Sequence, residues 1–78
     1  MSKEEIIEIL IAGAARIFKA DAASITADTV IDDLGTKSLQ RVGLLATIEN
    51  ETEVVIPITE FGKFKTFSDL ADRVLEEL

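Results

Sequence analysis

The chain has 78 residues, of which 47% are hydrophobic and 29% charged, and its 15 acidic against 8 basic residues give a formal net charge of −7. A chain of this size and composition makes one small globular domain, residues 1–78, with no room for a second core or a deep catalytic pocket. The acidic balance opposes binding to nucleic acid or anionic membranes, and the lack of cysteine and histidine excludes disulfides, thiolate or imidazole metal sites and the commonest general base.

No apolar run approaches the roughly 18 residues of a membrane span. The opening Met1-Ser2-Lys3-Glu4-Glu5 is too acidic and polar for a signal peptide. A cytoplasmic monomer with no stable membrane association is expected. Asp28, Asp32 and Asp33 lack the spacing of a calcium loop, and Gly35 lies wrongly for one, so no metal site is expected.

The first helix should begin at Ser2, because Ser2 and Glu5 match the Ser-x-x-Glu capping box. Ile6, Ile7, Leu10, Ala14, Ile17 and Phe18 follow at helical spacing. Ile9, Ile11 and Ala12 widen that face, and the helix should end near Lys19. Residues 20–35 form a long connection with turn-forming Ser24, Thr26, Asp28 and Thr29. Ile25, Val30, Ile31 and Leu34 are its expected anchors. A connection this long in so small a domain points to a functional reason.

That connection delivers the chain to Asp32-Asp33-Leu34-Gly35-Thr36-Lys37-Ser38-Leu39. Gly35 permits a sharp turn that a β-carbon would penalise. Ser38 stands where the second helix should start, running to about Thr52, with Leu39, Val42, Leu45, Ala46 and Ile48 on roughly one face. Serine is a preferred helix cap. The same position presents a hydroxyl beside unpaired N–H groups and the positive end of the helix dipole, where a phosphate is well held. Gly43 inside this helix marks close packing or an approached surface.

Val54-Val55-Ile56-Pro57 reads as a brief extended link and not as a strand in a sheet. Residues 59–62 should make one helical turn, closed by a left-handed Gly62. Thr66 and Asp69 open the last helix at capping-box spacing, and Phe67, Leu70, Ala71, Val74, Leu75 and Leu78 mark its apolar face. The sum is all-α: a four-helix antiparallel bundle of three main helices and one short one, with a long loop between the first and second.

In order and spacing, Ile25-Thr26-Ala27-Asp28, the stretch from Asp32 to Leu39, Val55-Ile56-Pro57 and Thr66-Phe67-Ser68-Asp69-Leu70 resemble the acyl carrier proteins and the related peptidyl and aminoacyl carriers. The resemblance covers nearly the whole chain. It implies a 4′-phosphopantetheine arm, derived from coenzyme A and attached to Ser38, whose thiol holds acyl groups as thioesters. It implies as partners a phosphopantetheinyl transferase and acyl-transferring, synthase or ligase enzymes, in a specialised fatty-acid, polyketide or related lipid pathway. A peptidyl or aminoacyl carrier, or an unmodified carrier-like interaction module, are the alternatives.

The family usually has aspartate before the modified serine, where this chain has Lys37, and Arg41 follows one turn later. Lys37, Leu39, Arg41 and Glu49 are therefore the candidates for partner recognition. An acyl cleft would be lined by some of Val42, Leu45, Ala46, Ile58, Phe61, Phe67 and Leu70, although the first reading of Phe61, Phe64 and Phe67 at spacing three is core packing. No enzymatic activity is expected. Neighbouring helical residues such as Lys37 and Ser38 diverge by about 100°, and no oxyanion hole is evident.

Overall fold

The computed structural model describes residues 1–78 as four helices without a sheet. Helix α1 spans Lys3–Phe18, α2 Ser38–Thr52 and α3 Phe67–Glu76, and a 3₁₀ helix, Ile58–Lys63, stands between α2 and α3. α1 packs against both α2 and α3. It places Ile6, Leu10 and Ala14 in the centre, against Leu44, Leu45 and Ile48 from α2 and Phe67, Leu70, Ala71 and Val74 from α3. Leu78 falls beyond the end of α3 and is exposed, so the apolar stripe of that helix ends one turn earlier than its spacing suggests.

Two of the helices start as their sequences require. The Ser2 hydroxyl accepts from the Glu5 N–H at 3.2 Å, while the Glu5 carboxylate accepts from the Ser2 N–H at 3.1 Å. Thr66 and Asp69 repeat this arrangement at α3, and Asp69 also accepts from the Lys65 N–H. Hydrogen bonds to the ionised form favour it, so both the Glu5 and the Asp69 carboxyls sit below the usual carboxylate range. α1 closes on Lys19 in the left-handed region, φ 55°.

The long connection is ordered by short 3₁₀ turns at Ala22–Ser24 and Ile31–Asp33. Ile25 and Ile31 are buried, while Val30 and Leu34 are half-buried. The backbone ties the connection to the start of α3: Ile31 N–H donates to the Lys65 carbonyl, Ser68 N–H to Ala27 and Phe67 N–H to Thr29. The position of Ser38 is thus set from both α1 and α3.

Neither Gly35 nor Gly62 has the left-handed angle expected of it, and only Gly35 is held to glycine by its neighbours. Gly35 does not have positive φ. A β-carbon there would lie 2.5 Å from Gln40 Oε1 and 3.0 Å from the Phe18 ring, so the sharp-turn expectation gives way to close packing. Gly62 likewise has no left-handed angle. It lies inside the 3₁₀ helix, which ends at an extended Phe64 whose ring meets Phe61 edge-on, centroids 6.5 Å apart. Gly43 faces the Ile17 side chain at ordinary contact distance.

Candidate functional site

α2 starts unlike its neighbours. Its cap residue is Lys37, extended at φ −69° and ψ 135°, and a lysine side chain offers no acceptor to the backbone. Half of a box is present, since Gln40 Oε1 accepts from the Lys37 N–H at 3.3 Å. The N–H groups of Gln40 and Arg41 return to the Lys37 carbonyl. Those of Ser38 and Leu39 have no acceptor within the protein.

Ser38, expected at the cap, is the first residue inside the helix. The Lys37–Gln40 pairing sets the register, and it moves the serine off the position from which a hydroxyl folds back onto the first turn. The Ser38 side chain makes no hydrogen bond and is exposed. An uncommitted hydroxyl therefore stands beside unpaired N–H groups at the positive end of a four-turn helix.

One helical turn on, Val42 begins an apolar groove. This is an open cleft of about 330 Å³ lined by Val42, Leu45, Ala46 and Glu49 from α2 and by Val55, Ile56 and Ile58 from the segment that follows. Val42 lies four residues after Ser38, so the two share a face about 6 Å apart along the axis. Val42, Leu45, Ala46 and Ile58 thus stand where the sequence puts a cleft. Phe61, Phe67 and Leu70 do not reach its wall, because all three are buried in the core. A phenyl ring without a polar handle gains most from complete burial, and the start of α3 turns Phe67 inward. The sequence argument missed Val55 and Ile56. The alternation of buried Val54, exposed Val55, buried Ile56 and exposed Pro57 is the period-two signal of an extended wall.

The α2 stripe also differs from its expected form. Leu39, Val42 and Ala46 are exposed, Leu39 at 83%, and Leu44, Leu45 and Ile48 carry the burial. α1 takes the opposite side, through Ile17 on Gly43 and Gly13 on Thr47, which leaves this stripe free beside Ser38.

The charged residues around Ser38 are not equivalent. Lys37 and Glu49 are exposed and make no ion pair. Arg41 is pinned: its Nη2 lies 3.2 Å from Asp32 Oδ1, and its guanidinium carbon stands 5.4 Å from the Phe61 ring centroid. The 3₁₀ helix that carries Ile58 is held from its other side by Arg73, whose Nε donates to Glu60 at 3.0 Å and whose Nη1 donates to Glu77 at 2.8 Å. The Arg73 hydrogen bond holds the Glu60 carboxyl below the usual range against some desolvation. The Arg73 guanidinium is in turn pushed further up by Glu60 and Glu77.

The chain resembles known proteins in sequence and in fold. The family model described as "Phosphopantetheine attachment site" matches residues 8–74. Acyl carrier proteins from three strains of Clostridium perfringens are each 38% identical over 63 residues, covering 73% of this chain and 83% of theirs. Among solved structures, a free-standing peptidyl carrier protein from an uncharacterized Acinetobacter baumannii secondary metabolic pathway superposes with a TM-score of 0.86. It is 18% identical, and the match covers 97% of this chain and 95% of that one, a likeness of fold.

Proposed function

The chain belongs to the phosphopantetheine attachment-site family, and on that premise we propose that Ser38 carries its covalent 4′-phosphopantetheine arm and that the arm shuttles acyl groups among a dedicated set of enzymes. The observation that carries this reading is the uncommitted Ser38 hydroxyl, exposed at the start of α2 beside the unpaired Ser38 and Leu39 N–H groups. Those donors and the helix dipole fit a phosphodiester. The arm, when bound, supplies the thiol on which cargo rides as a thioester, a group that a chain without cysteine does not itself possess.

The protein's own residues hold and display. Ser38 anchors, the start of α2 fixes the anion, and the groove from Val42 to Ile58 shields an apolar chain from water. Each buried methylene is worth about 0.8 kcal/mol, so melting temperature should rise with cargo length until the groove is filled. The open apolar groove favours acyl cargo over peptidyl cargo. The chain is read as a cytoplasmic monomer and as non-catalytic, the last because the Ser38 hydroxyl is hydrogen-bonded to no general base. Its partners are the loading transferase and the synthases or ligases of a specialised lipid pathway. The exposed Lys37, Leu39 and Glu49 are the residues those enzymes read.

Incubation with coenzyme A, magnesium and a broad-specificity transferase tests the attachment. Intact mass should rise by one phosphopantetheinyl group, and peptide mapping should place it on Ser38. An unchanged mass beside a control carrier that is loaded, or a modification at Ser2, Ser24 or Ser68, would refute it.

A further inference from the structure

We propose that the face around Ser38 docks an enzyme surface with an apolar recess for Leu39 and a rim of carboxylates that meets Lys37, while the acidic end of the protein points away; this rests on Ser38 being the attachment residue, which such an enzyme must reach. Charge is divided unevenly along the bundle. Gly13 faces Thr47 and Ile17 faces Gly43, so α1 and α2 run antiparallel. The Lys3–Asp72 ion pair sets the second half of α3 beside the start of α1. One end therefore gathers residues 3–9, 49–53 and 72–77, which hold nine acids and two bases, the whole net charge of −7. The rest of the chain holds six of each. From Leu34 to Ile48 there is no acid, only the cations Lys37 and Arg41. Arg41 is held by Asp32, whereas Lys37 is exposed and has no ion pair.

The exposed apolar groups lie away from that acidic end. Of the six large hydrophobic side chains left exposed, Met1 and Leu78 are the chain termini, and the others are Leu39, Val42, Val55 and Ile58. Cargo in the groove covers Val42, Val55 and Ile58, which line it. Leu39 stands outside the groove at 83% exposure, three residues before Val42 on the same face, so cargo does not account for it. An enzyme reaching Ser38 thus meets an apolar knob beside one unpaired cation. A basic surface is repelled by Lys37, whereas a carboxylate rim pairs with it. Glu49, where the acids of α2 begin, lies about 18 Å along the helix from Lys37, roughly two Debye lengths at physiological salt. The groups around Leu39, and not the distant acids, therefore decide what docks at this end.

The test titrates the unloaded protein with two helical peptides and maps the backbone amide shifts. Each peptide has leucines along one side, flanked by glutamates in the first and by lysines in the second. The glutamate peptide should shift the amides of residues 37–42, and the lysine peptide those of residues 49–53 and 72–77. Leu39→Ser changes an exposed side chain, so the fold should persist, and the glutamate peptide should bind about tenfold more weakly. Lys37→Glu should also weaken it, by a factor that shrinks in high salt, and should draw the lysine peptide to residues 37–42. A glutamate peptide that leaves residues 37–42 unmoved, or a lysine peptide that settles there on the wild type, overturns the docking face and leaves Ser38 standing. A Ser38 that no transferase loads is read by intact mass and overturns both.

Discussion

The starts of α1 and α3 are closed and the start of α2 is open. At Ser2–Glu5 and Thr66–Asp69, side chain and backbone satisfy one another in reciprocal pairs. At Lys37–Gln40 only one arm of the pair exists, and the Ser38 hydroxyl beside it faces solvent. Three helices of one small domain face the same chemical problem at their first turns. Two solve it internally, and the third leaves the Ser38 and Leu39 N–H groups without an acceptor in the protein. The difference separates residues that hold the fold from residues that act on a partner.

The sharpest way to test that separation is to remove each hydroxyl in turn. Ser38→Ala should abolish loading altogether, yet shift stability by less than about 0.5 kcal/mol, because the side chain touches nothing; intact mass and a denaturant melt read the two effects. Thr66→Ala should do the reverse, with normal loading but a loss of about 1 kcal/mol, or roughly 4–8 °C in a domain of this size. Equal stability losses in the two variants would erase the contrast.

Lys37→Asp closes the open start. A carboxylate at the cap should stabilise α2 by about 0.5 kcal/mol, at the low end of cap effects, since Gln40 already satisfies one donor. It should also speed association with transferases and synthases whose contact patches are basic, with a benefit that shrinks in high salt. Arg41 needs no change in this experiment because Asp32 already offsets its charge. Rates that are equal for both proteins at two ionic strengths would make Lys37 incidental to partner choice.

The smallest effect is with pH. The folded-state pKa values of Glu5 and Asp69 lie below their ordinary values. The stability they contribute is present above the unfolded pKa and is lost as pH falls through the folded one. Protection of the first-turn amides of α1 and α3, taken relative to their intrinsic exchange rates, should therefore fall below about pH 4, where free carboxyls take up protons. The first turn of α2, with a glutamine in that place, should not follow. Relief of the −7 net charge acts on the whole molecule, so the local comparison, and not the global melt, is the measurement.

Much of this was legible in sequence because much of it is local. Both capping boxes, the bounds of α2 and the extended link at residues 54–57 follow from neighbours a few positions apart. The exact register of Ser38 was not legible, because it depends on whether Lys37 or Ser38 closes onto Gln40, a choice of one residue. Arg41 reads as a free cation in sequence, and only the folding-back of the long connection sets Asp32 against it. The phenylalanines fit a cleft or a core equally well by spacing; three-dimensional packing against α1 and α3 decides for the core. Gly13 drew no notice among the isoleucines of α1, because its partner, Thr47, lies 34 positions away in a different helix.

That glycine has a mechanical consequence. A β-carbon on Gly13 would come within 2.9 Å of Thr47 Cγ2, and Thr47 is itself braced by Arg16 and by the Gly43 carbonyl. α1 and α2 therefore meet at Gly13 with no room for a larger side chain along their seam. The opposite jaw of the groove is an extended link and a short 3₁₀ helix, anchored by the buried Val54, Ile56 and Phe61 and clasped by arginines at Glu60 and Phe61. A guest of growing length would lie between a wall of regular helix and a wall of extended chain and 3₁₀ turn, with Ser38 standing on the helical side.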